Sequence, residues 1–381
     1  MSRRRISIFD TTLRDGEQSP GIALQPHEKA EIAGRLERLG VDVVEAGFPG
    51  ASPGDFEGVR AVASALTEPV VAALARTVQD DLDAAGDALA DAQRSRIHIF
   101  LATSPLHMEK KLGLEPHEVV QHTRWAVEYA VTRADEVEFS CEDATRSDPA
   151  FVARVCRAAI EAGATVINLP DTVGYSLPSE YATFLAEVRR RCPELRDVTL
   201  SVHCHDDLGL AVANSLAGVQ AGATQVECTI NGLGERAGNA SLEEIVVALR
   251  VRSDRFEVDT NIDTSELAAT SRLVSELTGY VVQPNKAVVG ANAFAHEAGI
   301  HQDGMLKDER TYQIIDPKEV GAGMTLPLGK HSGRHAFARA CADRGIHLGR
   351  EELNAAFRRF KELADAGNVV SLDDVLEEVP A

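Results

Sequence analysis

The sequence predicts an α/β protein: a (β/α)8 TIM barrel followed by a C-terminal helical subdomain, with a doubly wound open sheet as the alternative. Three observations carry this prediction. Short apolar, β-rich runs recur eight times through the first two-thirds of the chain, and the stretches between them place Ala, Leu, Glu and Arg at helical spacing. Polar residues also gather at the carboxyl ends of the runs, the face where a barrel keeps its catalytic loops. In order, the runs are residues 6–11, 41–48, 70–74, 97–102, 137–140, 165–169, 199–203 and 224–230. Residues 28–39, 119–133, 149–162 and 178–191 read as helices between them. Pro149 after Ser147-Asp148, and Pro178 before Ser179-Glu180, are helix-start signals, because a proline in the first helical position forfeits no intrahelical hydrogen bond. Gly40, Gly163 and Gly222 stand where helices end and suit left-handed caps.

After about residue 240 the rhythm stops. Residues 241–280 read as helical and acidic, 285–304 are rich in Gly, Asn and His, and a final helical region spans 335–366. The expected division is a barrel over 1–275 and a helical subdomain over 276–381, the latter contributing to the site and to a dimer. The chain carries 59 Asp plus Glu against 39 Lys plus Arg, a formal net charge of -20, so phosphate backbones are repelled and no nucleic-acid partner is expected. No run approaches the ~18–20 apolar residues of a membrane span. The basic start Met1-Ser2-Arg3-Arg4-Arg5 lacks the apolar stretch of a secretory signal. The six cysteines form no CxxC pair, which points to reduced thiols and a cytoplasmic protein.

The chemistry starts at His203-Cys204-His205, at the end of the seventh run. Alternate strand residues share a face, so both imidazoles point one way and Cys204 the other, a spacing that suits two ligands of one divalent ion. Asp15, Asn239 and Asp206-Asp207 offer oxygen ligands at other strand ends, and mixed nitrogen and oxygen ligation suits Mn, Mg, Co or Zn. Asp206 and Asp207 serve equally well as partners that orient the imidazoles or as a helix cap.

An HxH pair on a barrel also occurs in amidohydrolase-type enzymes, but there on the first strand. Here the first strand ends in DTTLRDGEQSPG (10–21). With HCHDDLGLA (203–211) and NGLGERAGN (231–239), that segment resembles the DRE-TIM metallolyase superfamily, and within it the branch of 2-isopropylmalate and homocitrate synthases. EAGFPGASPGDF (45–56), SPLHMEKKL (104–112), EFSCEDATRSDP (138–149), LPDTVGY (169–175), GANAFAHEAGIHQDG (290–304) and LGKHSGRHA (328–336) extend the resemblance from Ile6 to about Val379.

The resemblance implies transfer of an acetyl group from acetyl-CoA, the co-substrate, to a 2-oxo acid, followed by thioester hydrolysis. It implies a divalent metal (Mn, Mg or Zn) on Asp15, His203 and His205, with Asn239 as a further ligand, and Arg14 sharing the developing oxyanion. Glu142 and Thr172 match positions that hold the oxo acid, with Ser140 and His98 nearby; Ser140 and Thr172 read alone fit strand-end caps as well. His301 or Glu235 removes the methyl proton, and Tyr312 matches a tyrosine of the family. His296, His331 and His335 are further candidates, the last two fitting surface packing or a CoA phosphate better. The family's tail reaches over the partner's barrel, which implies a homodimer. A reverse-running lyase lacks such a tail, and an inert barrel would not keep Arg14, Glu142, Glu235 and His301 together.

The acceptor is narrowed at one position. Homocitrate synthases carry an arginine two residues before the serine of the fifth strand; here Glu138 stands there, and a carboxylate would repel a second carboxylate by about a kcal/mol or more. The expectation is 2-oxoisovalerate as acceptor in leucine biosynthesis, with homocitrate or citramalate-type synthesis as the alternative. Many isopropylmalate synthases continue into a leucine-binding domain; this chain ends at Ala381, and the expectation is either a leucine-insensitive form, with a rate unchanged by leucine, or service in another pathway with a related oxo acid.

Overall fold

The computed structural model describes residues 3–324, 328–366 and 372–376; Met1 and Ser2 of the basic start, and residues 377–379 at the end of the resemblance, lie outside the described residues. Two compact units are present, Met1–Val282 and Gln283–Ala381.

The first unit is a closed, all-parallel barrel. Its strands are β1 (Ser7–Asp10), β2 (Val43–Glu45), β3 (Val70–Arg76), β4 (Ser95–Ala102), β5 (Glu136–Glu142), β6 (Val166–Asn168), β7 (Thr199–His203) and β8 (Gln225–Cys228). Register pairs from Ser7 with Gln225 to Asp10 with Cys228 close the ring, so the open-sheet alternative is excluded. Each of the eight runs read from the sequence overlaps one strand, and the strands at 70–76, 95–102 and 136–142 extend beyond their runs. β2 and β6 are only three residues long, shorter than their runs, because the chain leaves the ladder early to form the loops at the carboxyl face.

Helices follow the strands in turn. Among them, α1 (Pro26–Leu39) and α2 (Pro149–Ala162) end on Gly40 and Gly163 at φ 88° and 113°, where a Cβ would be strained. Asp148 Oδ1 accepts from the Ala150 amide and starts α2. The outward strand residues Ile8, Val44, Ile99, Phe139, Ile167 and Val202 are fully buried beneath the helices. Each such side chain contributes roughly 1.5–3 kcal/mol by leaving water. The inward positions between them are largely polar, and that exception builds the site. No helix among the described residues is long and apolar enough to cross a membrane. All six cysteines are free and buried.

The second unit packs α3 (Arg334–Asp343), α4 (Arg350–Asp365) and α5 (Leu372–Leu376) around Phe337, Phe360 and Val375, each completely buried. A fourth helix, Gly299–Lys307, carries the GIHQDG motif.

Candidate active site

The loop after β1 makes one wide helical turn, Thr12–Gly16, closed by the Gly16 amide on the Thr11 carbonyl at 3.0 Å. Such five-residue turns recur at functional sites because they re-aim one side chain. Here the turn sets Arg14 and Asp15 side by side at the strand end. Buried Lys29 braces it, donating to the carbonyls of Leu13 and Ala46 at 3.1 Å each and pairing with Glu17.

Asp15 meets the two histidines. Its Oδ2 lies 3.8 Å from His203 Nε2 and 3.7 Å from His205 Nε2, and those two nitrogens are 3.1 Å apart. Burial, opposed by the Asp15 carboxylate, pushes both imidazoles down to about 4, so both are neutral at pH 7. Burial alone would raise the Asp15 carboxyl; Arg14 above all holds it well below the usual carboxylate range. Two nitrogen lone pairs facing across this distance require a proton or a cation between them. Asn239 joins the cluster: its Nδ2 donates to Asp15 Oδ1 at 2.7 Å and to the Leu233 carbonyl at 2.9 Å, while its buried Oδ1 has no partner. Gly234 makes room for this, since a Cβ there would come within 2.9 Å of Asp15 Oδ1 and closer still to Asn239 Nδ2. An anionic carboxylate, two neutral imidazoles and an unpartnered amide oxygen are the donor set a divalent ion takes, so the residues fit the implied metal.

Arg14 is fixed from two sides, by Glu45 at Nε (2.6 Å) and Asp15 at Nη1 (2.8 Å). Glu45 in turn accepts from Thr11 Oγ1 and lies 2.7 Å from His98 Nδ1. Burial works against the His98 imidazolium, yet Glu45 outweighs it and pushes His98 up to about 9; Arg14 and His98 overcome burial to bring Glu45 down to about 2. Charged His98 therefore donates from both nitrogens, to Glu45 and, across 2.6 Å, to Ser140 Oγ. Ser140 Oγ also accepts from Asn168 Nδ2 at 2.9 Å, which leaves its own hydrogen free to point into the cavity.

Arg14, Asp15, His98, Ser140, Asn168, His203 and His205 line a cavity of about 330 Å³ at the carboxyl ends of the strands, together with Glu142, Thr172 and Glu235. Thr172 Oγ1 accepts from the Asp143 amide at 2.9 Å, so its hydrogen too is available. Glu142 pairs with Lys111 at 2.6 Å, and Arg236 with Asp207 at 2.8 Å. Glu235 is exposed at the rim. Phe48, Leu74 and Phe100 supply an apolar wall. Asp206 caps a helix, its Oδ1 accepting from the Ala211 amide at 2.8 Å.

Glu138 corrects the sequence reading. It shares the inward face of β5 with Ser140 and Glu142 but does not line the cavity; it is wholly buried, ion-paired with Arg96 at 2.9 Å and bonded to Gln225 at 3.0 Å. Burial, with Glu227 adding to it, pushes its carboxyl up to about 7. His98, Glu138 and Glu227 also cluster closely enough to hold an ion, but both nitrogens of His98 and the oxygens of Glu138 are already bonded.

His301 and Tyr312 lie in the second unit, with ring centroids 4.4 Å apart. His335 Nδ1 lies 3.0 Å from Asp303, and the His331 amide donates to Glu297. Sequence reasoning missed the roles of Glu45, Lys111, Asn168, Arg236 and Glu227. The even spacing of 138, 140 and 142 on one strand could have pointed to layers, but only barrel closure shows which strands meet.

Comparison with known proteins adds to this geometry. A family model described as HMGL-like matches residues 5–274, and one described as the homocitrate synthase post-HMGL domain matches residues 288–368. The 2-isopropylmalate synthase of Pyrococcus furiosus is 59% identical over 363 residues, 95% of this chain and 73% of the relative. That of Neisseria meningitidis serogroup B is 57% identical over 97% of this chain and 72% of the relative. Among solved structures, the Bacillus subtilis HMG-CoA lyase superposes with a TM-score of 0.62 at 22% identity, over 74% of this chain and 97% of that one, a likeness of fold.

Proposed function

The chain belongs to the 2-isopropylmalate synthase family, and we propose that it transfers the acetyl group of acetyl-CoA to 2-oxoisovalerate and hydrolyses the thioester, giving 2-isopropylmalate and CoA in leucine biosynthesis. The observation that carries this reading is the buried Asp15, His203 and His205 cluster beside an apolar wall in one cavity. Asp15, His203, His205 and Asn239 would hold a divalent metal (Mn, Mg or Zn), which when bound supplies Lewis-acid polarisation of the acceptor's keto oxygen.

The rest falls to the side chains. Arg14, held by Glu45 and Asp15, shares the negative charge that develops on that oxygen. The hydroxyls of Ser140 and Thr172 donate to the acceptor carboxylate, and charged His98 keeps Ser140 turned toward it. Glu142, beside Lys111, closes the polar side, while Phe48, Leu74 and Phe100 take the branched alkyl group. His301 or Glu235 removes the methyl proton of acetyl-CoA, with Tyr312 beside His301. The barrel of residues 1–275 carries the chemistry, and residues 276–381 complete the site and the interface of a cytoplasmic homodimer.

A 2-oxoglutarate acceptor is the second reading, favoured by the match of residues 288–368. Among the described residues, however, the cations lining the cavity, Arg14, His98, Lys111 and Arg236, each have a carboxylate partner, which leaves a second substrate carboxylate without an unpaired cation. The test is CoA release from acetyl-CoA with Mn or Mg across 2-oxoisovalerate, pyruvate, 2-oxobutyrate and 2-oxoglutarate. Preference for 2-oxoisovalerate is expected; faster turnover of 2-oxoglutarate would overturn the acceptor assignment.

A further inference from the structure

Beneath the histidine pair lies a chain of buried hydrogen bonds that the proposed reaction does not use. Arg96, on β4, is 5% exposed; its Nη1 donates to Gln225 Oε1 and to Glu138 Oε2, both at 2.9 Å. The Gln225 amide, on β8, donates from Nε2 to Glu138 Oε1 at 3.0 Å and to Ser201 Oγ at 2.9 Å. Ser201, on β7, donates to Glu227 Oε1 at 3.0 Å. The other oxygen, Glu227 Oε2, lies 3.0 Å from His203 Nδ1.

Direction is fixed along this chain when Glu227 is ionised. A guanidinium has five donors and no acceptor, so the atom of Gln225 facing Arg96 must be its oxygen. That leaves the Gln225 NH2 facing Ser201 and Glu138. Ser201 Oγ, already accepting from Gln225, turns its single hydrogen to Glu227. Burial pushes the Glu227 carboxyl up, but in its ionised form it receives on Oε1 and presents Oε2 to His203 as an acceptor. The proton of neutral His203 must therefore sit on Nδ1, and the Nε2 lone pair faces Asp15 and His205.

We infer that Arg96, Gln225, Ser201 and Glu227 form a one-way hydrogen-bond chain that locks His203 in its Nδ1–H tautomer and so sets the affinity of the site for a divalent ion. The inference rests on the metal assignment in the proposed function but not on the choice of acceptor. Glu227 and Ser201 are positioning residues: both are buried, and their bonds lead to the ion by way of His203 Nδ1. Partners of this kind typically change metal affinity ~10–100-fold when removed.

The experiment is a direct metal titration of the full-length, chelator-stripped protein with Mn(II), read by calorimetry, with Co(II) absorption as a second signal. Glu227→Gln should weaken Mn(II) binding ~10–100-fold and alter the Co(II) band. Ser201→Ala should weaken binding in the same direction by less, and Ser201→Thr, which keeps the hydroxyl, should restore it. Melting of the metal-free proteins checks folding, and if Glu227→Gln does not fold, the Ser201 pair decides alone. Wild-type Mn(II) affinity in a folded Ser201→Ala protein, or equal weakening in Ser201→Thr, would overturn the inference. A wild-type protein that binds no divalent ion would overturn the metal assignment itself, whereas a wrong acceptor leaves these titrations unchanged.

Discussion

The floor of the barrel and its mouth are built from the same strands two residues apart, yet they differ in one respect. On the floor, the hydrogen bonds of Arg96, Glu138, Gln225, Ser201 and Glu227 close on one another. At the mouth, the buried atoms Asn239 Oδ1, His205 Nδ1 and Asn168 Oδ1 have no partner. Burying an unpaired polar atom costs roughly 1–3 kcal/mol, so a fold retains several together only where something else will complete them. The saturated layer holds groups still, and the unsaturated layer binds.

The sharpest way to break this comparison is to unbalance the floor. Glu138→Gln removes a carboxyl pushed up to about 7 from a buried network in which Arg96 keeps Glu136 at 2.6 Å, which should cost about 1–3 kcal/mol of unfolding free energy in urea titrations. The relative rates on 2-oxoisovalerate and 2-oxoglutarate should not move. A stable variant that now favours 2-oxoglutarate would return Glu138 to the pocket.

An effect of similar size is expected at the joint between the layers. His98 titrates near 6.5 when unfolded and is pushed up to about 9 in the fold, chiefly because Glu45 outweighs burial. A raised basic group stabilises fully below the unfolded value, and its contribution is lost as pH rises toward the folded one. Stability should therefore fall between about pH 6.5 and 9, by on the order of 3 kcal/mol. His98→Gln should flatten that slope; thermal melts across the range would show whether it does.

The mildest change belongs to the apolar wall. Leu74→Val removes one methylene from the cavity and should lower kcat/KM for 2-oxoisovalerate about 10-fold relative to an acceptor one carbon longer. An unchanged ratio would mean that the alkyl group does not rest on this wall.

Much of the site was legible because its residues come in contiguous segments. The turn after β1 carries Arg14 and Asp15 within one motif, and His203 and His205 alternate on one strand, so neither pairing needs knowledge of the fold. All eight strands could be found for the same reason: a buried outward face such as Ile97, Ile99 and Leu101 writes period-two apolarity into the sequence. Glu138 shows the limit. Its neighbours in sequence are pocket residues, and nothing local distinguishes a carboxylate facing the cavity from one facing Arg96.

By itself, then, the sequence determined the barrel, the polar carboxyl-end face and the pairing of Arg14 with Asp15 and of His203 with His205, because apolar periodicity and adjacent residues are local properties of the chain. Only the tertiary structure decided which carboxylates do what. Closing β8 against β1 and β7 brings Gln225 and Glu227 beside Arg96, Ser201 and His203, residues up to 129 positions apart. Whether a buried charge is paired, shared or left open to a ligand is settled by neighbours across the ring, and that information exists only once the ring is closed.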